Sequence, residues 1–339
     1  MKIAVVGCGG IGGVVCAVLA SRKADVVCIE ANEEASEKIN RNGLKLKGKK
    51  GKYNEKITAN AGFSPGLGKF DVIAIAVKSG ALRSVFSQAK DYLSENGFIL
   101  TLSNGLEIIN IAKEFPSVKV AGGAVEYNSI MKEYGKYHVT ANGGIVIGSL
   151  QGVGDKGLQE VKSLFGKKIK ISITENIIGV LWSKLLIVCG VTGLGGISAL
   201  RTGKLLRSRT ARKLFYKIVA EGREVAERLK VQLEPFGRFH PDKFADAEGS
   251  NPLFIRWLKL MITGIKRGKI VSNIQIDLQR GRKTEVDWLN GAVVSIGAKV
   301  GVETPVNREI VRMVKEIEKH KREMSPDNLH EIWEKTGNE

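Results

Sequence analysis

Residues 7–12 read Gly-Cys-Gly-Gly-Ile-Gly, a G-x-G-x-x-G spacing between the apolar run "KIAVVG" and a segment, Ile11 to Leu19, with helical periodicity. Strand, turn and helix in that order are what phosphate binding requires. Gly7 makes the tight turn, Gly9 lets a pyrophosphate approach the backbone, and Gly12 lets helix pack on strand. Cys8, Gly10 and Ile11 complete the turn, and the helix that follows offers N–H groups and a positive dipole end to the phosphates. A second apolar run, "DVVCIE", ends in Glu30. A carboxylate there can accept hydrogen bonds from the adenosine ribose hydroxyls and repels a 2′-phosphate. The pattern therefore predicts an NAD(P)H site in which Glu30 favours NADH, while Arg22 and Lys23 are near enough to accommodate the phosphate of NADPH.

The second stretch with chemical content is "GVLWSKLLIVCG", residues 179–190, where Lys184 sits among Val180, Leu181, Trp182, Leu185, Leu186, Ile187 and Val188. A helix apolar on most sides is usually a core helix. A lysine in it snorkels out, pairs with an acid, or is held for chemistry.

These residues need elements to position them. Short apolar runs at 2–7, 25–30, 70–77 and 97–105 alternate with helix-prone segments, which predicts a parallel α/β sheet. "YHVTANGGIVIGSL" reads as two strands around a Gly-rich turn, predicting antiparallel pairs that extend that sheet. From residue 176 strand signals fade, and 176–190, 204–231, 252–266, 285–300 and 307–322 read as helices, with Pro305 near a helix start. The chain length of 339 suits two domains. The expected architecture is a Rossmann-type doubly wound sheet with an antiparallel extension over 1–172, then an all-α second domain over 173–339.

Composition narrows the function classes. Lys and Arg total 53 against 35 Asp and Glu, a net charge of +18. The basic residues are dispersed, "KLKGKKGK" at 45–52 being the densest run, and no nucleic-acid module signature accompanies them, so no nucleic-acid partner is expected. No stretch approaches the ~20 uninterrupted apolar residues of a membrane span, so no membrane role is expected either. Cys8, Cys16, Cys28 and Cys189 lack C-x-x-C spacing, which points to free thiols in a reducing cytoplasm. The histidines (His138, His240, His320, His330) are scattered without an HExxH pair, and no dedicated metal site is expected.

Beyond the glycine turn, "AVKS" at 76–79, "SNGLE" at 103–107, "LWSKLL" at 181–186, "IQIDLQRGRKTEVDWLNGAVV" at 274–294 and "GVETPVN" at 301–307 occur in the order they take in the ketopantoate reductase (2-dehydropantoate 2-reductase) family. The chain resembles that family over nearly its whole length. The resemblance implies a cytoplasmic, dimeric NAD(P)H-dependent reductase that carries 2-dehydropantoate or another 2-oxo acid to the hydroxy acid. It implies that Lys184 is the proton donor and Glu285 the active-site acid that pairs with it or holds a substrate hydroxyl. It places Asn104 beside nicotinamide and substrate, and Lys78 near the nicotinamide ribose. A lysine in an apolar cleft has its charged form disfavoured, which brings its pKa toward the working range of a general acid.

The resemblance breaks at the substrate contacts. Family members carry asparagines four and eight residues after the lysine, where this chain has Val188 and Thr192; a family serine that binds the substrate carboxylate falls on Asn273. Altered polar contacts imply an altered substrate preference, so a paralogue acting on a different 2-oxo or branched carbonyl compound is the alternative. A dinucleotide sensor without turnover is a further one. The segment 234–270 is longer than the family's usual connection and reads as a flap or added core packing.

Overall fold

The computed structural model describes residues 1–241 and 270–336; the helix expected at 252–266, and most of the segment 234–270, lie outside the described residues. The chain divides into two compact units, Met1–Leu181 and Trp182–Glu339. The helical pattern sets in before that division, because the helix α6 (Ile177–Val188) starts in the first unit and ends in the second.

The first unit is built on an eight-stranded sheet. Its core is parallel: β1 (Lys2–Val6) lies between β2 (Asp25–Glu30) and β6 (Phe70–Ile75), and β7 (Leu93–Thr101) and β8 (Val120–Val125) continue the order on the β6 side. Both faces of these strands are covered, so they read as continuous apolar runs; Ala4, Val5, Ile73 and Ile75 are fully buried. The helix α1 (Gly12–Ser21) is buried along most of its length. The antiparallel extension is present in one strand: β11 (Ile145–Gln151) runs antiparallel to β8, with β12 (Ile171–Ile173) beyond it.

The two strands expected around the Gly-rich turn do not pair with each other. β10 (Lys136–Ala141) belongs to a separate four-stranded sheet, between β3 (Leu44–Gly48) and β9 (Asn128–Glu133). The burial pattern gives the reason. Tyr137 and Val139 are buried while Lys136 and His138 are exposed, a one-faced strand, whereas β11 carries fully buried Ile145 and Ile147 into the main core. The basic run at 45–52 begins in the same small sheet, with Leu44 and Leu46 buried and Lys45 and Lys47 facing solvent.

Among its described residues the second unit is helical apart from an isolated bridge between Phe236 and Phe239. α6 continues through a π turn, Cys189–Gly193, into a short helix, Leu194–Ser198. Together Ile177–Ser198 spans 22 residues at a mean hydropathy of 2.0, long and apolar enough by composition to cross a membrane, a length that a search for an uninterrupted apolar run does not register. Of its apolar window 72% is buried against the protein itself, the setting of a core helix. The helices Thr202–Leu205, Arg209–Arg228, Asn273–Gln279, Asn290–Val300, Pro305–Glu318 and Asp327–Thr336 follow among the described residues.

Candidate active site

In the first unit, β1, β2, β6 and β7 run parallel and end at one edge of the sheet, and that edge collects Gly7–Gly12, Glu30, Lys78 and Asn104. Carboxyl edges of parallel strands are where open α/β sheets bind ligands. Gly7 has φ +84°, a left-handed conformation closed to most side chains. A Cβ on Gly12 would lie 2.2 Å from the Gly7 carbonyl oxygen, so only glycine lets α1 start this close to the turn. A Cβ on Gly9 would meet nothing within 4 Å. The turn is thus closed on its packed side and open at Gly9, the shape a pyrophosphate needs.

Three hydroxyls hold the turn in place. Tyr137 donates to the Cys8 carbonyl at 2.6 Å, Tyr127 to the Ile11 carbonyl at 3.2 Å, and Ser129 to the Gly10 carbonyl. In a trans peptide C=O and N–H point in opposite directions, so pinning these carbonyls aims the N–H groups of Gly9, Ile11 and Gly12 the other way. Sequence reading missed all three residues. They come from the connection after β8 and from β9 and β10, more than a hundred residues from the turn, and no local pattern marks them. Glu30 reaches back to the same turn, accepting the Cys8 N–H at 2.5 Å. Burial, then the neighbouring Cys8, push its carboxyl up to about 7.

Lys78 is exposed and immediately precedes the helix α3 (Ser79–Ala89). Asn104 is half-buried after β7, next to Gly105 at φ +82°. Two reciprocal bonds bring their loops together: Ser79 donates to the Asn104 carbonyl at 3.0 Å, and Ser103 donates to the Val77 carbonyl at 2.8 Å.

In the second unit, Lys184 is 7% exposed and Glu285 8%. Burial pulls the Lys184 ammonium down to about 8, and the Glu285 carboxylate opposes that pull. Glu285 sits just before a 3₁₀ turn, Val286–Trp288, and its neighbour Thr284 is fastened through both N–H and hydroxyl to one oxygen of Glu318, each at 2.8 Å. The acid is thereby set on a fixed backbone.

The remaining expected substrate residues are placed differently. The Thr192 hydroxyl lies within the π turn and donates to the Val188 carbonyl at 2.7 Å. Asn273 is exposed as the first residue of its helix, and the buried polar group at that point is Ser272, which caps the helix at Gln275 N and donates to the Thr192 carbonyl at 3.3 Å. Ser272 so ties the start of this helix to the π turn.

Behind the π turn runs a chain of buried polar groups that the sequence did not reveal. Glu221 accepts the N–H groups of Val306 (2.8 Å) and Asn307 (3.0 Å) and the Asn307 side-chain amide (2.6 Å), capping the helix Pro305–Glu318. Asn290 donates to Asn307 Oδ1 at 2.9 Å and to the carbonyl of Cys189, the first residue of the π turn, at 3.5 Å. Burial pushes the Glu221 carboxyl up to about 7.

The family model described as ketopantoate reductase PanE/ApbA matches residues 3–152, and that of the ketopantoate reductase C-terminal part matches residues 176–318. The 2-dehydropantoate 2-reductase of Pyrococcus horikoshii is 26% identical over 319 residues, covering 93% of this chain and 97% of its own length. An uncharacterized oxidoreductase of Bacillus subtilis is 24% identical over 315 residues, 90% of this chain and 95% of its own. Among solved structures, a ketopantoate reductase from Ralstonia eutropha superposes with a TM-score of 0.79 at 24% identity, over 95% of this chain and all of its own. A D-mandelate dehydrogenase solved with NADH and anilino(oxo)acetate superposes with a TM-score of 0.81 at 20% identity, over 95% and 99% of the two chains. At these identities the structural likeness establishes the fold.

Proposed function

This chain belongs to the ketopantoate reductase family of oxidoreductases, and from that premise we propose that it is an NAD(P)H-dependent reductase of a 2-oxo acid, 2-dehydropantoate first, with Lys184 as general acid. The observation that carries the reading is the buried Lys184 opposed by Glu285, an ammonium lowered to about 8 and so able to give up its proton near neutral pH.

Gly7, Gly9 and Gly12 with the turn amides hold the pyrophosphate of NAD(P)H, Glu30 takes the adenosine ribose, and Lys78 and Asn104 hold the nicotinamide end. The bound nicotinamide supplies a hydride to the carbonyl carbon. As that carbon accepts the electron pair, the carbonyl oxygen becomes an alkoxide, and the Lys184 ammonium first stabilises the developing charge and then transfers a proton from Nζ to it. Glu285 keeps Lys184 charged between turnovers while solvent returns the proton. A half-buried carboxyl at position 30 favours NADH when ionised, and the D-mandelate dehydrogenase of the same fold was solved with that cofactor.

A second substrate class has its own support. Val188 lies one turn after Lys184 where the family carries asparagine, and the Thr192 hydroxyl is spent on the Val188 carbonyl. Both changes favour a 2-oxo acid whose side chain is apolar and lacks the hydroxyl of 2-dehydropantoate. The deciding experiment follows NADPH and NADH oxidation with 2-dehydropantoate and with 2-oxo acids bearing branched aliphatic or phenyl groups, repeated with Lys184→Ala. Turnover of either class that collapses in the variant supports the reductase. Cofactor binding without turnover of any of them would instead favour a dinucleotide sensor.

A further inference from the structure

Three of the four cysteines meet beneath the phosphate-binding turn. Cys8 is in the turn, Cys16 in the middle of α1 and Cys28 on β2, and all three are fully buried. Their sulfurs lie 2.7 Å (Cys8 to Cys28), 3.0 Å (Cys16 to Cys28) and 3.7 Å (Cys8 to Cys16) apart. Their positions in the chain do not announce a ligand set; the strand–turn–helix–strand path returns to one point and creates it.

A buried cysteine by itself behaves as a small apolar residue, and Cys189, buried in the second unit, is of that kind. The triad differs because each thiol has the other two as neighbours. We propose that Cys8, Cys16 and Cys28 form an all-sulfur site for a soft, low-coordinate monovalent cation of the Cu(I) and Ag(I) class.

The ligand set selects the ion. It contains no carboxylate or imidazole, and sulfur-only donors discriminate against Mg²⁺, Ca²⁺ and Mn²⁺. Among the described residues three ligands converge and no fourth, whereas structural zinc sites close a tetrahedron with four.

Metal–sulfur bonds of about 2.3 Å place three sulfurs around one ion about 4 Å apart, so the two short edges of the triad must open as the ion enters. No electron is transferred: the ion enters as Cu(I) and stays so, and any further thiol that becomes a thiolate releases its proton to solvent. Because Cys8 is also part of the phosphate-binding turn, ion and dinucleotide act on one backbone segment, and each must change the affinity for the other by the same factor. This inference does not depend on which 2-oxo acid is reduced.

The test titrates the reduced, full-length protein anaerobically with Cu(I) held by a chromogenic competing chelator. The expected result is one Cu(I) per chain, with near-ultraviolet thiolate-to-copper absorption. Affinity should fall at least 100-fold in Cys16→Ala and in Cys28→Ala and persist in Cys189→Ala, with NADH fluorescence titration showing that each variant is folded. Unchanged binding in Cys16→Ala, or loss in Cys189→Ala, would overturn the proposal. Copper-edge X-ray absorption on the unaltered protein tests it without any variant: a shell of three sulfurs supports it, and a nitrogen or oxygen shell, or preferential retention of Zn²⁺ when both ions are offered, sinks it.

Discussion

Lys184 ionises at about 8 in the folded chain against 10.5 for an ordinary lysine, because burial disfavours the ammonium more than the Glu285 carboxylate supports it. At about 1.36 kcal/mol per pH unit, keeping the charge inside costs about 3 kcal/mol at neutral pH. The unfolded chain holds this proton up to pH 10.5 and the folded chain only to about 8, so Lys184 makes stability rise with pH across that window. With Lys184 as the proposed acid, reduction needs the protonated form, so activity moves the opposite way. The profile of kcat/KM reports the free enzyme. For whichever 2-oxo acid is turned over fastest, log kcat/KM should fall with unit slope above pH about 8, a loss of about 100-fold by pH 10, with no loss of folded protein. Lys184→Ala should lower kcat by about 10²–10⁴-fold and abolish that limb. Glu285→Gln removes the carboxylate that holds the lysine pKa up, so its limb should begin below pH 8. Rates flat to pH 10 in the parent enzyme, or a limb that moves upward in Glu285→Gln, would refute the assignment of Lys184 as the acid.

The other expectations test cofactor, substrate and scaffold. Glu30 is neutralised as pH falls through about 7, so the ratio of NADPH to NADH affinity should rise between pH 8 and 6, and Glu30→Gln should raise it and remove its pH dependence; cofactor fluorescence measures both. Gly9→Ala adds a methyl that touches nothing in the protein, so its melting temperature should match the parent while dinucleotide affinity drops about 10-fold or more; in Gly12→Ala, whose methyl would meet the Gly7 carbonyl, both should fall. Val188→Asn should raise kcat/KM for 2-dehydropantoate and lower it for an apolar 2-oxo acid, about 10-fold in each direction. Glu221→Ala strips the cap from the helix Pro305–Glu318 and leaves the Asn307 amide only the Ile218 carbonyl at 3.4 Å, and urea denaturation should show a loss of about 3 kcal/mol.

What the sequence disclosed was what local patterns encode. The strand–glycine turn–helix unit was legible because its strand, glycines, helix and acid lie within thirty residues and each has a steric or electrostatic reason for its place. Lys184 was legible as an anomaly, a charge in an apolar helix, and the family motifs supplied its partner. The β10–β11 pairing was misread because a Gly-rich turn between two strands looks the same whether they pair or pass into different sheets; the one-faced burial of β10 decides it, and burial is a tertiary property. The hydroxyl latches from Tyr127, Ser129 and Tyr137 were invisible for the same reason. Gly13 now gains a meaning beyond the motif: a Cβ there would lie 2.0 Å from the Tyr137 ring, so glycine is what lets Tyr137 reach the Cys8 carbonyl.

The departures from the family take on physical sense through the π turn. A regular helix pairs each N–H with the carbonyl four residues back, and a π turn reaches five back instead, which disturbs the partners of the carbonyls at its entry. At that entry the Thr192 hydroxyl joins the backbone, donating to the Val188 carbonyl four residues back. A threonine is suited to this by its short side chain, which bonds readily to a carbonyl one turn back. Hence the substitution at 192 is not merely a lost amide: its polar atom is committed to the backbone of the residue that is itself changed, Val188. Val188→Asn alone restores an amide without disturbing the Thr192 bond, which is made to the main chain. Asn at 192 would break that bond and add a larger side chain in the π turn. Recovery of 2-dehydropantoate reduction should therefore follow the first change, and adding the second should lower stability before it improves specificity.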